Sequence, residues 1–524
     1  MGLCCFCLHT LMTSVKAPFS QSAFWKTQVQ YYEGHGVTAW SSDVPYRISS
    51  SCRIAFAYAD MIAAYIRDVR RIDPSAAFQI VELGAGSGKF SYRLLQQLDS
   101  ILGLMDQPDQ KVYYTMTDCA DLTRRFWLKH PQLKPFVDHE ILSFEALTVD
   151  HDKGILFSGD VHSWGSPYTI IIANYFFDSI YHDAFGVKEG HVYPYLCSAP
   201  NLNASEIDAK DLIFTPDHGI KDFFACPNRN HVASLHRSVS SERFLFPTGC
   251  FDLLDFFSLH SKQILLLSAD KGFTHASNFY YDKTFCLRKD GTLSTVVNYF
   301  AIAEYFKKHF LGDALLSEPY FNDARVFFSS TAFLSHGHFS NYPELHRAAK
   351  TYTEQFTHAD FQILDYTAAD PYLNYYDDVK MLFKLYHYDP SLAVRYHDLI
   401  ATILRNTDKK LSQSMHDMLV LLTRNCYFSS NTYESQEFQA IASLCLAGKQ
   451  YALAKCFLAV FKKYYGTCYG VSLVSGQYYF LMEDHETASR HFQMALQEKP
   501  SCQESERYLS ILQADRDLVT KNPI

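Results

Sequence analysis

Three closely spaced glycines stand between an apolar run and an amphipathic segment. Residues 78–83 read FQIVEL, Gly84, Gly86 and Gly88 follow at alternate positions, and apolar residues then recur at helical spacing as far as Leu95. This order predicts a buried strand, a tight turn and a helix. Because glycine has no Cβ, the turn can approach a ligand closely, and the helix start presents unpaired N–H groups. The segment is therefore a candidate nucleotide-type binding site.

The glycine spacing argues against two common nucleotide sites. A dinucleotide site requires a third glycine three residues after Gly86, where this chain has Lys89. A phosphate-binding P-loop requires a glycine five residues before the Gly-Lys pair and a Ser or Thr after it, and those positions hold Leu83 and Phe90. A nicotinamide-dependent oxidoreductase is therefore disfavoured.

The remaining pattern resembles the first motif of class I S-adenosylmethionine-dependent methyltransferases, in which the glycine turn passes under the amino-acid end of the cofactor. The resemblance implies that the cofactor contacts Glu82, Gly84, Ala85, Gly86 and Gly88. A glycine triplet can also be only a tight connection. A second element is needed to decide between a cofactor-binding turn and a tight connection.

The second element is the segment KVYYTMTD, residues 111–118, which predicts a buried strand ending on a single carboxylate, Asp118. In a doubly wound sheet this strand lies beside the strand that precedes the glycine turn, so its terminal acid can accept hydrogen bonds from ribose hydroxyls. Asp118 also precedes a helical pattern from Leu122 and can serve as its N-cap. We favour the ligand-binding interpretation, because the turn and the acid follow consecutive strands.

A third polar group follows the predicted strand around Ile170–Ile172. Asn174 and Asp178 come at its carboxyl end, the edge of an open α/β sheet where ligands bind. We predict that Asn174 and Asp178 are catalytic and that Tyr175 and Phe176 contact the substrate. His182, a few residues later, is predicted as a surface or core histidine.

These elements together are similar to the MidA-type methyltransferases, the family that includes the mitochondrial arginine methyltransferase of complex I assembly. That family carries Asn-Glu-x-x-Asp after its fourth strand; Asn174 and Asp178 are in register, and Tyr175 replaces the glutamate. Residues 48–63 are similar to the family's Thr-Ser-Pro-Glu stretch but lack its Pro and Glu. Ser50 in that stretch is a candidate substrate or cofactor contact, with helix capping as the alternative.

The resemblance implies a Rossmann-like doubly wound α/β fold, with S-adenosyl-L-methionine as cofactor, over roughly residues 24–337. An arginine substrate favours paired carboxylates around its guanidinium group. Because Tyr175 replaces one of them, arginine specificity is in doubt. Asp178 can still orient or deprotonate an amine, or it can cap the helix that follows.

Composition sets the broad class of protein. The chain has 524 residues, of which 48% are hydrophobic and 20% charged, so it predicts a folded protein of two or more domains. Its net charge of −9 gives no reason to expect nucleic acid as a partner. The 14 cysteines are scattered apart from Cys4, Cys5 and Cys7, which predicts neither a metal site nor a disulfide framework. The apolar N-terminus is too short to span a membrane, and we predict a cytoplasmic protein.

The predicted domain organisation follows from changes in pattern along the chain, where a polar, irregular stretch interrupts the α/β pattern and amphipathic helices follow it. The predicted parts are an N-terminal segment (1–23), the α/β domain (24–345) with an insertion at about 198–247, a helical region (346–430), helical repeats (431–515) and a tail (516–524).

Within the α/β domain, residues 24–40 are aromatic and polar and suggest a cap over the ligand end of the sheet. An amphipathic helix is predicted around residues 54–65, with serines before it as caps. Residues 263–269 predict a buried strand, 299–306 a helix, and 324–330 an edge or hairpin strand that closes the sheet.

The last part of the chain repeats with a period of 34 residues. Small and aromatic residues match between the two copies, which indicates tetratricopeptide repeats, a helix-pair motif whose stacked copies offer a concave face to a protein segment. A packed bundle with accidental spacing is the alternative. The matching positions are Phe438, Ile441, Ala442, Cys445, Tyr451, Ala454 and Leu458 in the first copy, and Ser472, Ser475, Gly476, Tyr479, His485, Ala488 and Phe492 in the second.

Two functional hypotheses follow. In the first, the chain is a protein methyltransferase, acting on nitrogen, whose helical repeats recruit the protein substrate. In the second, the α/β domain is a catalytically degenerate cofactor-binding platform, and the protein is an adaptor. The intact glycine turn with Glu82 and Asp118 favours the first, and Tyr175 favours the second.

Overall fold

The computed structural model describes residues 16–40, 49–107, 110–165, 167–198, 212–219, 224–238, 243–275, 286–289, 292–318, 321–322, 325–326, 328–357, 360, 373–429 and 432–521. The chain forms two compact units. Unit 1 comprises Met1–Ser49 and Ala57–Thr367, and unit 2 comprises Ser50–Phe56 and Ala368–Ile524. The predicted order, an α/β part followed by a helical part, is confirmed.

The strands of the described residues all belong to unit 1. In chain order they are β1 (Ala17–Pro18), β2 (Phe78–Glu82), β3 (Val112–Asp118), β4 (Leu142–Asp150), β5 (Gly154–Phe157), β6 (Tyr168–Asn174), β7 (Asp183–Lys188), β8 (His191–Ser198), β9 (Ile213–Pro216), β10 (Phe244–Phe246), β11 (Gln263–Phe273), β12 (Cys286–Lys289), β13 (Thr292–Thr295), β14 (Val297–Asn298), β15 (Asp313–Leu316), β16 (Phe321–Asn322), β17 (Arg325–Val326) and β18 (Phe328–Leu334).

The α-helices occur in both units, and the second of them begins in unit 2 and continues in unit 1. They are α1 (Ala23–His35), α2 (Cys52–Ile72), α3 (Lys89–Leu102), α4 (Asp121–Leu128), α5 (Lys134–Asp138), α6 (Pro227–Ser234), α7 (Thr248–Ser258), α8 (Tyr299–His309), α9 (Pro343–Lys350), α10 (Tyr376–Leu385), α11 (Ser391–Arg395), α12 (His397–Asn406), α13 (Ser412–Asn425), α14 (Thr432–Ala447), α15 (Tyr451–Tyr465), α16 (Tyr469–Leu481), α17 (His485–Glu498) and α18 (Gln503–Lys521).

The main sheet has the strand order β15-β18-β11-β6-β2-β3-β4-β5, with β14 paired to β11. The strands β4, β3, β2, β6 and β11 are parallel. The chain therefore runs outward from β2 through β3 and β4, returns, and runs outward on the other side through β6 and β11. Such a reversal leaves a crevice at the carboxyl ends of the central strands, where ligands bind in open α/β sheets.

The central strands β2 and β6 are buried along almost their whole length. All five residues of β2 are buried, and only the last residue of β6 is partly exposed. Continuous apolar runs suit parallel strands that are covered on both faces, and this explains why residues such as Ile170, Ile171 and Ile172 form a strand. Helices α7 and α8 contribute to the same hydrophobic core.

Of the two alternatives predicted for residues 324–330, the hairpin strand is confirmed, because β17 is antiparallel to β16 and β18 is antiparallel to β15. The edge position is wrong. Strand β18 lies inside the sheet, antiparallel to β11 on one side and to β15 on the other. Its hydroxyl groups are buried and bonded to the neighbouring strand β11: Ser329 donates to the Gly272 carbonyl and Thr331 to the Ser268 carbonyl. Positions 324 and 327 lie outside the described residues.

A second, antiparallel sheet has the order β1-β8-β7-β10, with β9 paired to β8. Phe19, Phe24, Trp25 and Tyr181 belong to its small core. The predicted insertion contributes β9, α6 and β10 to unit 1, while its residues 199–211, 220–223 and 239–242 lie outside the described part of the chain. The N-terminal cysteines, in residues 1–15, also lie outside it.

In unit 2, helix α16 packs against α17. Ala488, Phe492 and Ala495 are fully buried in the core that they share. A Cβ placed on Gly476 would lie 2.6 Å from Cε1 of Phe492, so the missing side chain lets the two helices approach. The identification of these helices as tetratricopeptide repeats stays a prediction. Among the described residues, no helix combines the length and apolar content needed to cross a membrane.

Candidate ligand-binding site

The glycine turn follows β2 directly and is fixed by neighbouring strands. Gly84, Gly86 and Gly88 have φ angles of 62°, 55° and 83°, a region that side chains other than glycine rarely adopt. The Ala85 N–H donates to the Thr117 carbonyl of β3 at 2.8 Å. Helix α3 starts immediately after the turn. The turn is therefore a preformed concave segment at the carboxyl edge of the sheet.

Asp118 ends β3, the strand paired with β2, and its carboxylate lies beside the turn. It accepts a hydrogen bond from the Ala120 N–H at 2.8 Å, and the Gly86 N–H also acts to lower its pKa. Helix α4 begins at Asp121 with Ala120 as its N-cap, so Asp118 does not cap it. Burial raises the pKa of Asp118 to about 6, and the two N–H donors oppose that shift.

A cavity opens in unit 1 where Gly84, Asp118 and the loop after β6 converge. It lies at the carboxyl edge of adjacent parallel strands, and helix α1 forms one wall. Its described lining residues are Trp25, Gln28, Val29, Tyr32, Gly84, Asp118, Cys119, Leu147, Thr148, Val149, Tyr175, Phe176, Ser179, Ile180 and Tyr181. Among these residues there is no Lys or Arg, and Asp118 supplies the carboxylate. Aromatic rings and one acid favour a ligand that is cationic near its centre.

Glu82 is turned away from this cavity. Its Oε2 accepts hydrogen bonds from the hydroxyls of Ser91 on α3 and Tyr114 on β3, the latter at 2.7 Å. Burial raises the pKa of Glu82 to about 7, although both hydrogen bonds act in the opposite direction. Glu82 therefore joins α3 and β3 behind the turn. Its predicted contact with the cofactor stays a prediction.

The loop after β6 brings two of the predicted substrate contacts to the cavity. Tyr175 has a φ of 52°, an uncommon value for a bulky residue, and both Tyr175 and Phe176 line the cavity. A Cβ placed on Gly84 would lie 2.8 Å from Cδ2 of Phe176, so the turn and the ring are in close contact. Asn174 does not line the cavity; its Oδ1 accepts a hydrogen bond from the Tyr58 hydroxyl.

Asp178 lies behind the cavity wall and is almost fully buried. Its Oδ1 accepts from the Ser179 hydroxyl at 2.7 Å, and its Oδ2 accepts from the Ser294 hydroxyl at 2.6 Å. The Asp178 N–H donates to Asp270 Oδ2 at 3.1 Å. Burial, and then the nearby charge of Asp178, raise the pKa of Asp270 well above its usual range. Among the described residues, Asp178 is joined to the cavity lining through Ser179.

Ser50 and His182 do not line the cavity. Ser50 is buried just before α2, and its neighbour Ser51 accepts from the Ile54 N–H at 3.3 Å, as a capping serine does. His182 is buried, its Nδ1 is hydrogen bonded to the Ile180 carbonyl, and burial lowers its pKa to about 4. His182 is therefore a core histidine.

Several lining residues were not among the sequence-based candidates. Trp25, Gln28 and Tyr32 come from α1, in the segment whose aromatic composition suggested a cap, but no periodicity indicated which side chains face the ligand. Cys119 follows Asp118, and Thr148 lies near the end of β4. Strand β4 is parallel to β3 and lies next to it, so residues near its carboxyl end lie at the same edge of the sheet as Asp118. That position could have indicated Thr148 as a lining residue. In the described part of the chain, no group of His, Cys, Asp and Glu is arranged to hold a metal ion.

Known structures resemble this protein only weakly. No protein-family model matches the sequence, and no curated protein matches it. One similar crystal structure is a COG1565 superfamily member and candidate methyltransferase from Burkholderia thailandensis bound to S-adenosyl-homocysteine, with 14% identity, a TM-score of 0.37, and coverage of 58% of this chain and 74% of that one. Another, an uncharacterized COG1565 superfamily protein from the same organism, has 15% identity, a TM-score of 0.31, and coverage of 64% and 71%. These scores establish neither a shared fold nor a shared activity.

Proposed function

We propose that this protein is a class I, MidA-like S-adenosylmethionine-dependent methyltransferase with a Rossmann-like sheet. The observation that carries the proposal is the meeting of the glycine turn and Asp118 at one cavity, on adjacent parallel strands. In this arrangement the turn supports the amino-acid end of the cofactor, and the Asp118 carboxylate accepts hydrogen bonds from its ribose hydroxyls.

The chemistry of the cavity fits a sulfonium cofactor. Trp25, Tyr32, Tyr175 and Phe176 place aromatic rings around a space whose described lining contains no Lys or Arg. Aromatic faces attract cations, and Asp118 adds a negative charge above its pKa. When bound, the cofactor supplies an electrophilic methyl group. The protein's part is to orient the reactants, exclude water with α1 and handle the acceptor's proton.

A protein nitrogen is the proposed methyl acceptor, in a cytoplasmic setting. Support for a protein substrate comes from unit 2, where α12, α14, α16 and α18 line a groove that includes Arg405, Gln439 and Gln477. Amide side chains in a groove can hydrogen bond to the backbone of an extended segment. We propose that these helices are tetratricopeptide repeats and that they recruit the substrate. Tyr175, in place of the family's glutamate, argues against arginine.

Calorimetric titration with S-adenosylmethionine tests the cofactor assignment. We expect wild-type protein to bind it, and Asp118→Asn to weaken binding about tenfold or more, because an amide accepts ribose hydrogen bonds less strongly than a carboxylate does. Asp121→Asn is the matched control, since Asp121 is three residues away and bonded to Arg124 and Arg125 instead. Absence of heat with wild-type protein would refute the assignment.

The alternative, a cofactor-binding adaptor without activity, is favoured by one observation: Asp178 is held behind the cavity wall by Ser179 and Ser294. Incubation of cell-lysate proteins with methyl-tritiated S-adenosylmethionine separates the two functions. We expect labelled bands with wild-type protein and loss of label with Asp178→Ala. If wild-type protein binds the cofactor but labels nothing, the adaptor function is the correct one.

A further inference from the structure

Tyr181 lines the cavity, but its hydroxyl is bound by a residue outside the described lining. The hydroxyl donates to Oδ2 of Asp252, on α7, at 2.5 Å. Gly249, in the first turn of α7, donates its N–H to the Tyr181 carbonyl at 3.0 Å. A Cβ placed on Gly249 would lie 3.2 Å from two carbons of the Tyr181 ring, so the helix also packs closely against the ring. Helix α7 therefore fixes the orientation of this cavity residue from behind.

The acceptor of that hydroxyl is itself held by an arginine from the predicted insertion. Arg229, on α6, donates from one guanidinium nitrogen to Asp252 Oδ1 and from another to Asp255 Oδ2, both at 2.6 Å. Its guanidinium lies over the rings of Phe251 and Tyr305, 5.8 and 5.9 Å from their centroids. Only 11% of the Arg229 side chain is exposed. The insertion is therefore connected to the cavity through Asp252.

The guanidinium keeps Asp252 in place because a second carboxylate stands close by. Asp252 and Asp255 are three residues apart on one helix, where like charges repel each other. Each of the two side chains is 33% exposed, so each can turn towards water when the cation between them is removed. Loss of Arg229 should therefore free Asp252 and deprive the Tyr181 hydroxyl of its acceptor.

Tyr181 stands at the β4 end of the cavity. The Gly84 turn follows β2, Asp118 ends β3, and β4 is the next parallel strand along the sheet. The ring of His151, the residue directly after β4, lies 5.6 Å from the Tyr181 ring. A cofactor with its amino-acid end at the turn and its ribose at Asp118 extends its adenine towards β4. Aromatic rings stack favourably on such bases.

We propose that Arg229 is a positioning residue for cofactor binding: through Asp252 it holds the Tyr181 ring against the adenine of S-adenosylmethionine. This role rests on the proposed function. The ring is held in place before the ligand arrives, so binding does not have to immobilise it. The insertion thus contributes to the cofactor site without lining it at Arg229.

Calorimetric titration with S-adenosylhomocysteine tests this role. Tyr181→Phe keeps the ring and removes the hydroxyl, whereas Arg229→Met removes the guanidinium. Each substitution should weaken binding about threefold to tenfold, which is the value of one hydrogen bond. The double variant should bind no more weakly than either single variant, because Arg229 acts through the Tyr181 hydroxyl.

Asp255→Asn is the matched control. It removes the other carboxylate bound by Arg229 and leaves the contacts from Arg229 to Asp252 and from Asp252 to Tyr181 intact. Its affinity for S-adenosylhomocysteine should stay within about twofold of wild type.

A shorter ligand tests which end of the cofactor Tyr181 contacts. 5′-Methylthioadenosine has the adenine and the ribose but no amino-acid end. Tyr181→Phe and Arg229→Met should therefore weaken its binding by the same factor as that of S-adenosylhomocysteine. A loss confined to S-adenosylhomocysteine would place Tyr181 at the amino-acid end and overturn the proposed role.

The outcomes separate this role from the function on which it rests. Absence of S-adenosylhomocysteine binding by wild-type protein would count against both. Wild-type binding that Tyr181→Phe leaves unchanged would refute the role alone, and this variant decides the matter even if Arg229→Met does not fold. Multiplied losses in the double variant, or an equal loss in Asp255→Asn, would show that Arg229 only supports the fold, and would also overturn the role.

Discussion

Gly84 meets two separate requirements at one position. Its φ of 62° lies in the left-handed region, and the space where its Cβ would stand is taken by the Phe176 ring. The first requirement concerns backbone strain, and the second concerns packing between the turn and the loop after β6. Substitutions elsewhere in the chain can separate these two effects.

Gly84→Ala should destabilise the protein by about 2–3 kcal/mol, of which about 1–2 kcal/mol is left-handed strain and the rest overpacking against Phe176. Gly154→Ala is the control, because its φ is 77° and no atom lies within 4 Å of the added Cβ, so only the strain applies. Urea unfolding measures both. Equal losses in the two variants would show that the Phe176 contact is not a constraint.

The buried carboxyl group of Glu82 makes the stability of the folded protein depend on pH. Its pKa is raised from 4.5 to about 7 in the folded protein, so the folded state holds a proton that the unfolded state releases between these values. Stability therefore falls as pH rises through this window. The shift corresponds to an effect on the order of 3 kcal/mol.

Glu82→Gln should remove this part of the pH dependence, because glutamine stays neutral and keeps an oxygen for the Ser91 and Tyr114 hydroxyls. We expect the difference in unfolding free energy between variant and wild type to move in favour of the variant from pH 5 to pH 8. Asp118, whose pKa is also raised, contributes equally to both proteins and cancels. Glu140→Gln, at an exposed position, is the control variant.

At the scale of elements, the close packing of helix α16 against α17 requires a small residue at position 476. Gly476 is placed where a Cβ would lie within 2.6 to 3.0 Å of three atoms of the Phe492 ring. Phe492 is fully buried, so the ring has little room to move. The packing of this helix pair therefore requires glycine together with a ring of this size.

Gly476→Ala should destabilise unit 2 by about 1–3 kcal/mol through overpacking. Adding Phe492→Leu should recover part of the loss, because the smaller side chain makes room for the methyl group. A double-mutant cycle in urea unfolding measures this coupling. Additive effects of the two substitutions would mean that the helices separate without strain.

At the scale of the whole molecule, unit 2 contains a short segment that is distant in sequence from the rest. Residues 50–56 belong to unit 2, and the Cys52 N–H donates to Asp389 Oδ2 at 2.8 Å. The other oxygen of Asp389 accepts from the Ser391 N–H at 3.0 Å. A single buried carboxylate therefore joins two parts of unit 2 that lie more than 300 residues apart.

Asp389→Ala should cost about 2–4 kcal/mol locally, because two backbone N–H groups lose their charged acceptor. Hydrogen exchange read by mass spectrometry should become faster both in residues 50–56 and around residue 389. Asp398→Ala is the control, since the Asp398 side chain is fully exposed. Faster exchange around residue 389 alone would contradict this account.

The sequence by itself determined the local elements that carry the proposed cofactor site. The strand, glycine turn and helix of residues 78–102 follow from apolar periodicity and glycine conformation, and β3 with its terminal acid follows from the next apolar run. The consecutive order of β2 and β3 in an α/β pattern was enough to expect Asp118 beside the turn. The helical character of the C-terminal part was predicted in the same way.

Only the tertiary structure decided which side chains face the cavity. Glu82 is directed behind the turn by Ser91 and Tyr114, Asp178 is held behind the wall by Ser179, and Tyr32 reaches the cavity from α1. These placements depend on contacts between segments as many as about 150 residues apart, which no local pattern encodes. Periodicity specifies that a residue lies on a helix or strand, whereas the packing of distant elements specifies what its side chain touches.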